Sequence, residues 1–534
     1  MTCKSARSQM IDVPSSSVVE KISKAPGLSD NLICNIIKYA FEAQPMYGPQ
    51  YHISLVATHV CQHWRHIILQ CPQVWNRIHI SFSLDLIVEY LKRSISEPLD
   101  VQVLPVRNKA HWSAKVTTVL AQMSRIRDLD IRGLSATEFE VCIPFLNQKA
   151  PELQTLRLVQ PIGPTPHQYR LSDTFLGGEP LKRLNSVYLA GFSMPWNSPV
   201  LHNLKNLSLL FKPVSAHGEE VPSISDILNI LRYSAQLEHL NLSLSESDTD
   251  KVVGHISGVV DLPSLRELVL KINSQQYQQL IDNLNLPSDT ECSVTIYNYS
   301  FKDPLVAFPR HLANYHCVSF ECLISESCVE VEAQVCPTDD PERTIKLEIG
   351  LILQQEGTFT DGASDGDVTP NSSSREIKIT FNAATTLISS TFLSVARDID
   401  YSVELYSGYV DVSSWCLLLS ATPHAKSLQL SLEEYSVGIQ TSNGKTFFEA
   451  LSDIRRDHES KDVLPLQNLS HMHLHNIICT LEDGSLEMLV EWLTLRRDRG
   501  SPLSKLVLSG NHSLRDDQLD SVKGLVQSAE WEDF

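Results

Sequence analysis

The residues best suited to chemistry gather in one stretch, VCQHWRHIILQCPQVWNRIHI, running from Val60 to Ile80. It carries two of the seven tryptophans, three histidines and two cysteines. His59 stands just before it, one helical turn from His63, a spacing that can bind zinc. No Glu follows the first His as in a metalloprotease helix, and no cysteine pair has finger spacing, so no metal is expected here. Arg65 and Arg77 are too few to form a phosphate-binding patch. Cys61 lies on or beside an apolar stripe and reads as a small core residue rather than a nucleophile. Elsewhere, His471, His473 and His475 share one side of an expected strand, but neighbours about 6 to 7 Å apart are wide for one small ion. Cys317, Cys322, Cys328 and Cys336 cluster at gaps that suit no common zinc site. The run DGASDGD, Asp361 to Asp367, fails as a calcium loop at Ala363 and Ser372. There is no Walker loop, no dinucleotide-binding glycine motif and no nucleophile elbow. The expectation is a protein that is not an enzyme and has no catalytic residues, metal or cofactor.

The elements that would position these residues come in two textures. Residues 1–26 are polar and Ser-rich, with Pro14 and Pro26, and are expected to be disordered. A helix is predicted over LSDNLICNIIKYAFEA, with Leu32, Ile33, Ile36, Ile37, Ala40 and Phe41 three and four apart and Ser29 or Asp30 as cap. A second is predicted from Ser54 to the residues before Pro72, with Val56, Val60, Trp64, Ile67 and Ile68 as its stripe. A third fits LDLIVEYLKRS, with Leu84, Ile87, Val88 and Leu91 on one face.

From Leu99 the pattern changes to short alternating segments, many matching Leu-x-x-Leu-x-Leu. The clearest are Leu153/Leu156/Leu158, Leu204/Leu207/Leu209, Leu237/Leu240/Leu242, Leu265/Leu268/Leu270 and Leu503/Leu506/Leu508. The last apolar positions, 131, 158, 189, 209, 242, 270, 296, 320, 349, 381, 405, 430, 474 and 508, mostly step by about 20 to 34 residues. One strand plus one return segment per step makes a solenoid. The motif decays between Leu270 and Leu430, where a separate β-rich domain is the alternative, and a closed pocket there would point to an enzyme. Residues 355–376 read as a flexible loop.

The array resembles an irregular leucine-rich-repeat protein over about four-fifths of the chain. The N-terminal helices resemble an F-box. Its opening Leu-Pro-x-Glu-Leu-Leu, then Ile, reads here Leu28-Ser29-Asp30-Asn31-Leu32-Ile33, then Ile36. Its second half, Val-Cys-(basic)-x-Trp-Arg and Pro-x-Leu-Trp, reads Val60-Cys61-Gln62-His63-Trp64-Arg65, then Pro72 and Val74-Trp75. The tail YLKRSISEPLDVQV is similar to variants common in mushroom-forming fungi, with a Leu-x-Arg-Ser helix end, a Pro-Leu pair and a first strand. The fold class expected is α/β: a three-helix F-box over 27–96, then an irregular leucine-rich-repeat solenoid over 97–534, with parallel strands and helical or irregular returns.

The resemblance implies a function. F-box helices dock on a Skp-family adaptor and through it on a cullin. Family position makes Leu28, Leu32, Ile33, Ile36, Val60, Cys61, Trp64 and Ile67 the adaptor contacts. In a leucine-rich repeat the leucines point inward and the alternating residues line a concave face. That face would hold a protein substrate with Asp128, Asp130, Arg132, Arg157, Tyr188, His239, Asn241, His471, His473 and His475, joined by Lys271, Tyr297, Glu321, Glu348, Glu404 and Tyr406. The reading is the substrate-recognition subunit of a Skp–cullin–F-box ubiquitin ligase. The alternative, raised by Ser29 for the usual Pro and Asn31 for the usual Glu, is a scaffold protein whose degenerate F-box engages no ligase. A net charge of -19 argues against nucleic acid as partner. No run approaches the roughly 20 apolar residues of a membrane span. With no secretory signal and scattered cysteines, the expected location is cytoplasmic or nuclear.

Overall fold

The computed structural model describes residues 29–42, 53–106, 111–161, 169–211, 221–244, 258–299, 315–324, 328–337, 344–353, 399–405, 411–421, 425–432, 445–451, 466–476, 484–510 and 516–532. The segment 1–26, Leu28, the loop 355–376, Phe381 and Tyr406 lie outside the described residues. The chain is an α/β protein with long parallel sheets, and among the described residues no barrel closes. It divides into two compact units, Met1–Leu204 and Lys205–Phe534.

The first unit begins with α1 (Asp30–Glu42), α2 (Ile53–Thr58) and α3 (Gln62–Leu69), followed by a 3-10 turn, Pro72–Trp75. The single helix expected from Ser54 to Pro72 is therefore two. Val56, Thr58 and Val60 are β-branched and favour helix weakly, and the Thr58 hydroxyl donates to the Leu55 carbonyl at 2.6 Å. Cys61 adopts an extended conformation, φ −159°, and its Sγ accepts from the Trp64 amide to start α3. Arg65 Nε donates back across the break to the Thr58 carbonyl at 2.8 Å. Two sequence expectations fall with the break. His59 lies in the turn, off the helix that carries His63. Ser54 is no cap: it is buried inside α2, 2.7 Å from the Tyr90 hydroxyl.

Beyond the turn come β1 (Arg77–His79), α4 (Leu84–Arg93), β2 (Leu99–Val103), α5 (Trp112–Leu120), β3 (Ile126–Arg132), α6 (Ala136–Leu146) and β4 (Thr155–Val159). Then follow β5 (Tyr169–Arg170), β6 (Ser186–Ala190) and β7 (Phe192–Ser193). Strands β1, β2, β3, β4 and β6 pair side by side, all parallel. Parallel neighbours need a crossover, and α4, α5 and α6 supply three of them. Leu129, Leu156 and Val187 stand in register on one face, as do Ile131, Leu158 and Leu189, each at most 1% exposed. The F-box boundary expected near 96 and 97 falls inside this unit, because β1 already pairs with β2.

The second unit opens with β8 (Asn206–Leu210), α7 (Ile224–Arg232), β9 (His239–Ser243), β10 (Val260–Asp261), β11 (Glu267–Asn273), α8 (Ser274–Ile281), β12 (Leu284–Asn285) and β13 (Glu291–Tyr299). Next come β14 (Tyr315–Ile324), β15 (Cys328–Pro337), β16 (Ile345–Leu353), β17 (Ile399–Leu405), α9 (Val412–Ala421) and β18 (Ala425–Leu432). A helix α10 (445–451) precedes β19 (His471–His475), α11 (Ser485–Asp498), β20 (Lys505–Ser509), α12 (Asp516–Lys523) and β21 (Ser528–Glu532). Every spaced apolar position named above except Phe381 lies in a strand.

Strands β8, β9, β11 and β13 pair in sequence order, and so do β17, β18, β19, β20 and β21, all parallel. Between these runs the expectation of parallel strands fails. β16 sits beside β13, β15 lies antiparallel to both β16 and β14, and β14 pairs with β17. Only residues 325–327 separate β14 from β15, far too few for a parallel crossover, so the chain must turn straight back.

Candidate interaction faces

The amphipathic pattern of α1 has two apolar rows. Ile33 and Ile37 are buried, 2% and 3% exposed, and hold the helix to its own unit. Leu32 and Ile36 face outward at 45% and 42% exposure, and Tyr39, seven residues on from Leu32, continues their row. Ser29 caps this helix: its carbonyl accepts from the Ile33 amide at 3.0 Å and its hydroxyl from the Leu32 amide at 3.4 Å. The expected adaptor contacts therefore separate. Ile33 and Ile67 are core residues, which corrects their assignment to a partner surface. Val60, Cys61 and Trp64 are half-buried around the break between α2 and α3. Val56, expected on the inward stripe, is exposed, as is Leu69. Tyr39, Val56 and Leu69 were missed as surface residues, although the spacing of Leu32, Ile36 and Tyr39 carries the signal for the first.

Behind these helices Trp75 is fully buried. Its Nε1 donates to the Ile68 carbonyl at 2.9 Å, the Arg93 guanidinium lies 4.4 Å over its ring, and Tyr90 meets it edge-on at 5.0 Å. Trp75 positions the face without belonging to it.

The second candidate face is the polar side of the parallel sheet in the first unit. His79, Gln102, Asp130, Arg157 and Tyr188 stand in one row across five strands. Gln102 donates to Asp130 at 3.2 Å, Arg132 grips both oxygens of Asp130, and the Arg157 guanidinium stacks 4.1 Å over the Tyr188 ring. The adjacent row is Arg77, Asp100, Asp128, Thr155 and Ser186. Asp128, Asp130, Arg132, Arg157 and Tyr188 thus come together as alternation predicts. Arg77, Asp100, Gln102 and Arg127 were missed. The pattern LDVQV carried the signal for Asp100 and Gln102. Arg127 had none: a register shift opposite Leu99 and Asp100 inserts it as an extra residue in β3.

Arg127 ties the row together. Its Nη2 donates to both oxygens of Asp100, at 2.7 and 2.8 Å, and its Nε to Asp128 at 2.9 Å. Arg77 Nε is 3.6 Å from the same Asp100. Burial and the neighbouring Asp128 carboxylate push Asp100 up to about 7, against the pull of Arg127 and Arg77. Burial depresses Arg127, but Asp100 and Asp128 outweigh it and the guanidinium is raised. Asp100 is enclosed, so it supports the face from beneath. An open cleft of about 830 Å³ adjoins β1 and is lined by His79, Ser81, Asp85, Pro105, His111 and Lys115, among others.

In the second unit His239 lies between Asn206 and Glu267, with its Nδ1 3.0 Å from the Glu267 carboxylate, and Asn241 lies between Ser208 and Val269. His471, His473 and His475 alternate with buried Met472 and Leu474, as expected. His473 Nε2 and His475 Nδ1 meet the Ser509 hydroxyl at 2.7 and 2.9 Å, and His471 Nδ1 meets the Ser470 hydroxyl at 2.7 Å. Lys271 is exposed and Tyr297 half-buried. Glu321 and Glu348 both stand opposite Glu332 in the antiparallel strands, and Glu404 lies in β17. Cys328 and Cys336 occupy opposite ends of β15, on the order of 25 Å apart along an extended strand. Among the described residues no group of metal-ligating side chains converges, and no helix is long and apolar enough to cross a membrane. Compared with known proteins, the sequence matches no family model and no curated protein.

Proposed function

We propose that the chain is the substrate-recognition subunit of a Skp–cullin–F-box ubiquitin ligase. The observation that carries this reading is α1. Once Ile33 and Ile37 have been buried in its own unit, the helix still presents Leu32 and Ile36 to solvent, two of the positions where the F-box resemblance puts the adaptor. An amphipathic helix that offers residues one turn apart fits a helix-in-groove contact. The repeated strands with in-register leucines read as an irregular leucine-rich-repeat solenoid. In the first unit their polar side, with paired charges and a stacked arginine and tyrosine, has the chemistry of a surface that recognises a folded protein or peptide. Such a receptor does no covalent chemistry; it raises the effective concentration of its target beside the catalytic partner.

The test is binding of the full chain to the Skp-family adaptor of its own cell, beside Leu32→Asp. Leu32 is exposed, so the variant should fold normally, and it should lose adaptor affinity by 10-fold or more, roughly the loss of one buried anchor. Equal affinity of the two proteins would remove α1 as the docking face. Folded protein without any adaptor binding favours the scaffold reading, to which the substitutions at Ser29 and Asn31 point.

A further inference from the structure

We propose that the cleft beside β1 takes an acidic side chain of a target peptide, with Lys115 as its counter-charge; this rests on the reading of the polar side of the sheet as the face that holds a target. In α5 the residues Trp112, Lys115, Val116, Val119 and Leu120 fall three and four apart and are all buried. Lys115 thus occupies a place on the inward stripe that packing alone would give to an apolar residue. It is 8% exposed, and it lines the cleft. Among the described residues no hydrogen bond or ion pair holds its ammonium. A lysine buried to this degree ordinarily has a partner for its charge. Here the four-carbon stem packs with the stripe and the ammonium is left to the cleft, where an anion can meet it.

Charge and shape name the ligand. Asp85, in the first turn of α4, lines the same cleft without pairing with Lys115. One ammonium, one carboxylate and a net charge of -19 on the chain oppose a phosphate dianion and suit a single carboxylate. Leu84, Leu104 and Val106 add apolar wall, which fits the stem of a glutamate and its neighbours. A cleft of about 830 Å³ that stays open to solvent has room for a length of peptide and does not seal in a small molecule. It also runs into the polar row. His79 lines it and stands opposite Gln102, from which the row continues through Asp130, Arg157 and Tyr188. The Ser81 amide donates to His79 Nδ1 at 3.1 Å and fixes the ring at that junction. A peptide lying along the row therefore reaches Lys115 at the row's end.

The experiment probes an array of capped heptapeptides with the full chain. Each peptide carries a central Glu between varied apolar and polar neighbours and stands beside its Gln counterpart. The expected result is a set of Glu peptides held about 10-fold or more tightly than their Gln counterparts, the size expected of one charge-assisted hydrogen bond. Lys115→Met keeps the volume of the stem and its place on the stripe, so it should fold, leave adaptor binding unchanged and hold Glu and Gln peptides alike. Lys115→Arg should retain the preference for Glu. No preference for Glu anywhere in the array would overturn the proposal on the unsubstituted chain, whether or not the variants fold. A preference that survives in folded Lys115→Met would remove Lys115 as the counter-charge. Free glutarate that displaces the peptides at their own concentration would make the ligand a small dicarboxylate and overturn the peptide assignment. Adaptor binding is measured apart from the array, so failure of the cleft and failure of α1 as the docking face are told apart.

Discussion

Asp100 sets two physical effects against each other, and one substitution decides between them. The carboxyl is 4% exposed, faces Asp128, and receives Arg127 and Arg77. If burial and the like charge prevail, the group is pushed up to about 7 from an ordinary 3.8. An acid whose folded value is raised holds its proton in the native state after the unfolded chain has lost it. Its contribution to stability is therefore constant below about pH 4 and falls as pH rises to about 7. At about 1.4 kcal/mol per unit, the ceiling on that loss is roughly 4 kcal/mol. Asp100→Asn keeps an acceptor for Arg127 but cannot ionise. The variant should match the natural chain below about pH 4 and exceed it in stability by up to that ceiling near pH 8. Urea unfolding across this range, read by amide exchange of β2 and β3, makes the comparison. A variant that is less stable by roughly 3–5 kcal/mol at every pH above about 5 would refute the argument. That result would mean that the bidentate arginine holds Asp100 ionised and outweighs its burial.

Two further substitutions test what holds the faces in place. Trp75→Ala empties a fully buried site and removes the bond to Ile68 and the contacts with Arg93 and Tyr90; a loss of roughly 3–5 kcal/mol in unfolding free energy of the first unit is expected. Under the proposed docking role of α1, this variant is expected to lose adaptor binding by unfolding and Leu32→Asp to lose it while folded, and circular dichroism separates the two. Arg496→Met removes a fully buried guanidinium that donates to the Leu466 and Leu469 carbonyls at 2.8 and 2.6 Å. Burial lowers this arginine only to about 10, so it is charged at neutral pH. A loss of roughly 2–4 kcal/mol, seen as faster amide exchange over residues 466–476, is expected. A more stable Arg496→Met would show that desolvating the charge costs more than its two bonds return.

Much of the architecture is a local property and could be read from the chain alone. Alternation and the Leu-x-x-Leu-x-Leu spacing mark which residues turn inward: Leu153, Leu156 and Leu158 are all buried, and the same period places His471, His473 and His475 on one side. Helix starts are equally local, as Ser135 with Glu138 and Ser223 with Asp226 form reciprocal caps. What no local pattern specifies is which strand lies beside which. The placement of β16 next to β13, with β15 reversed, depends on pairing between segments distant in sequence. Periodicity also cannot say which of two apolar rows on α1 meets its own unit, so Ile33 and Ile36 looked alike until packing buried one and exposed the other. The same holds for Arg127, turned onto the polar face by one extra residue in its strand. Side-chain period follows from the geometry of one segment; contacts between segments follow from how the whole chain excludes water, and the tertiary structure alone decides them.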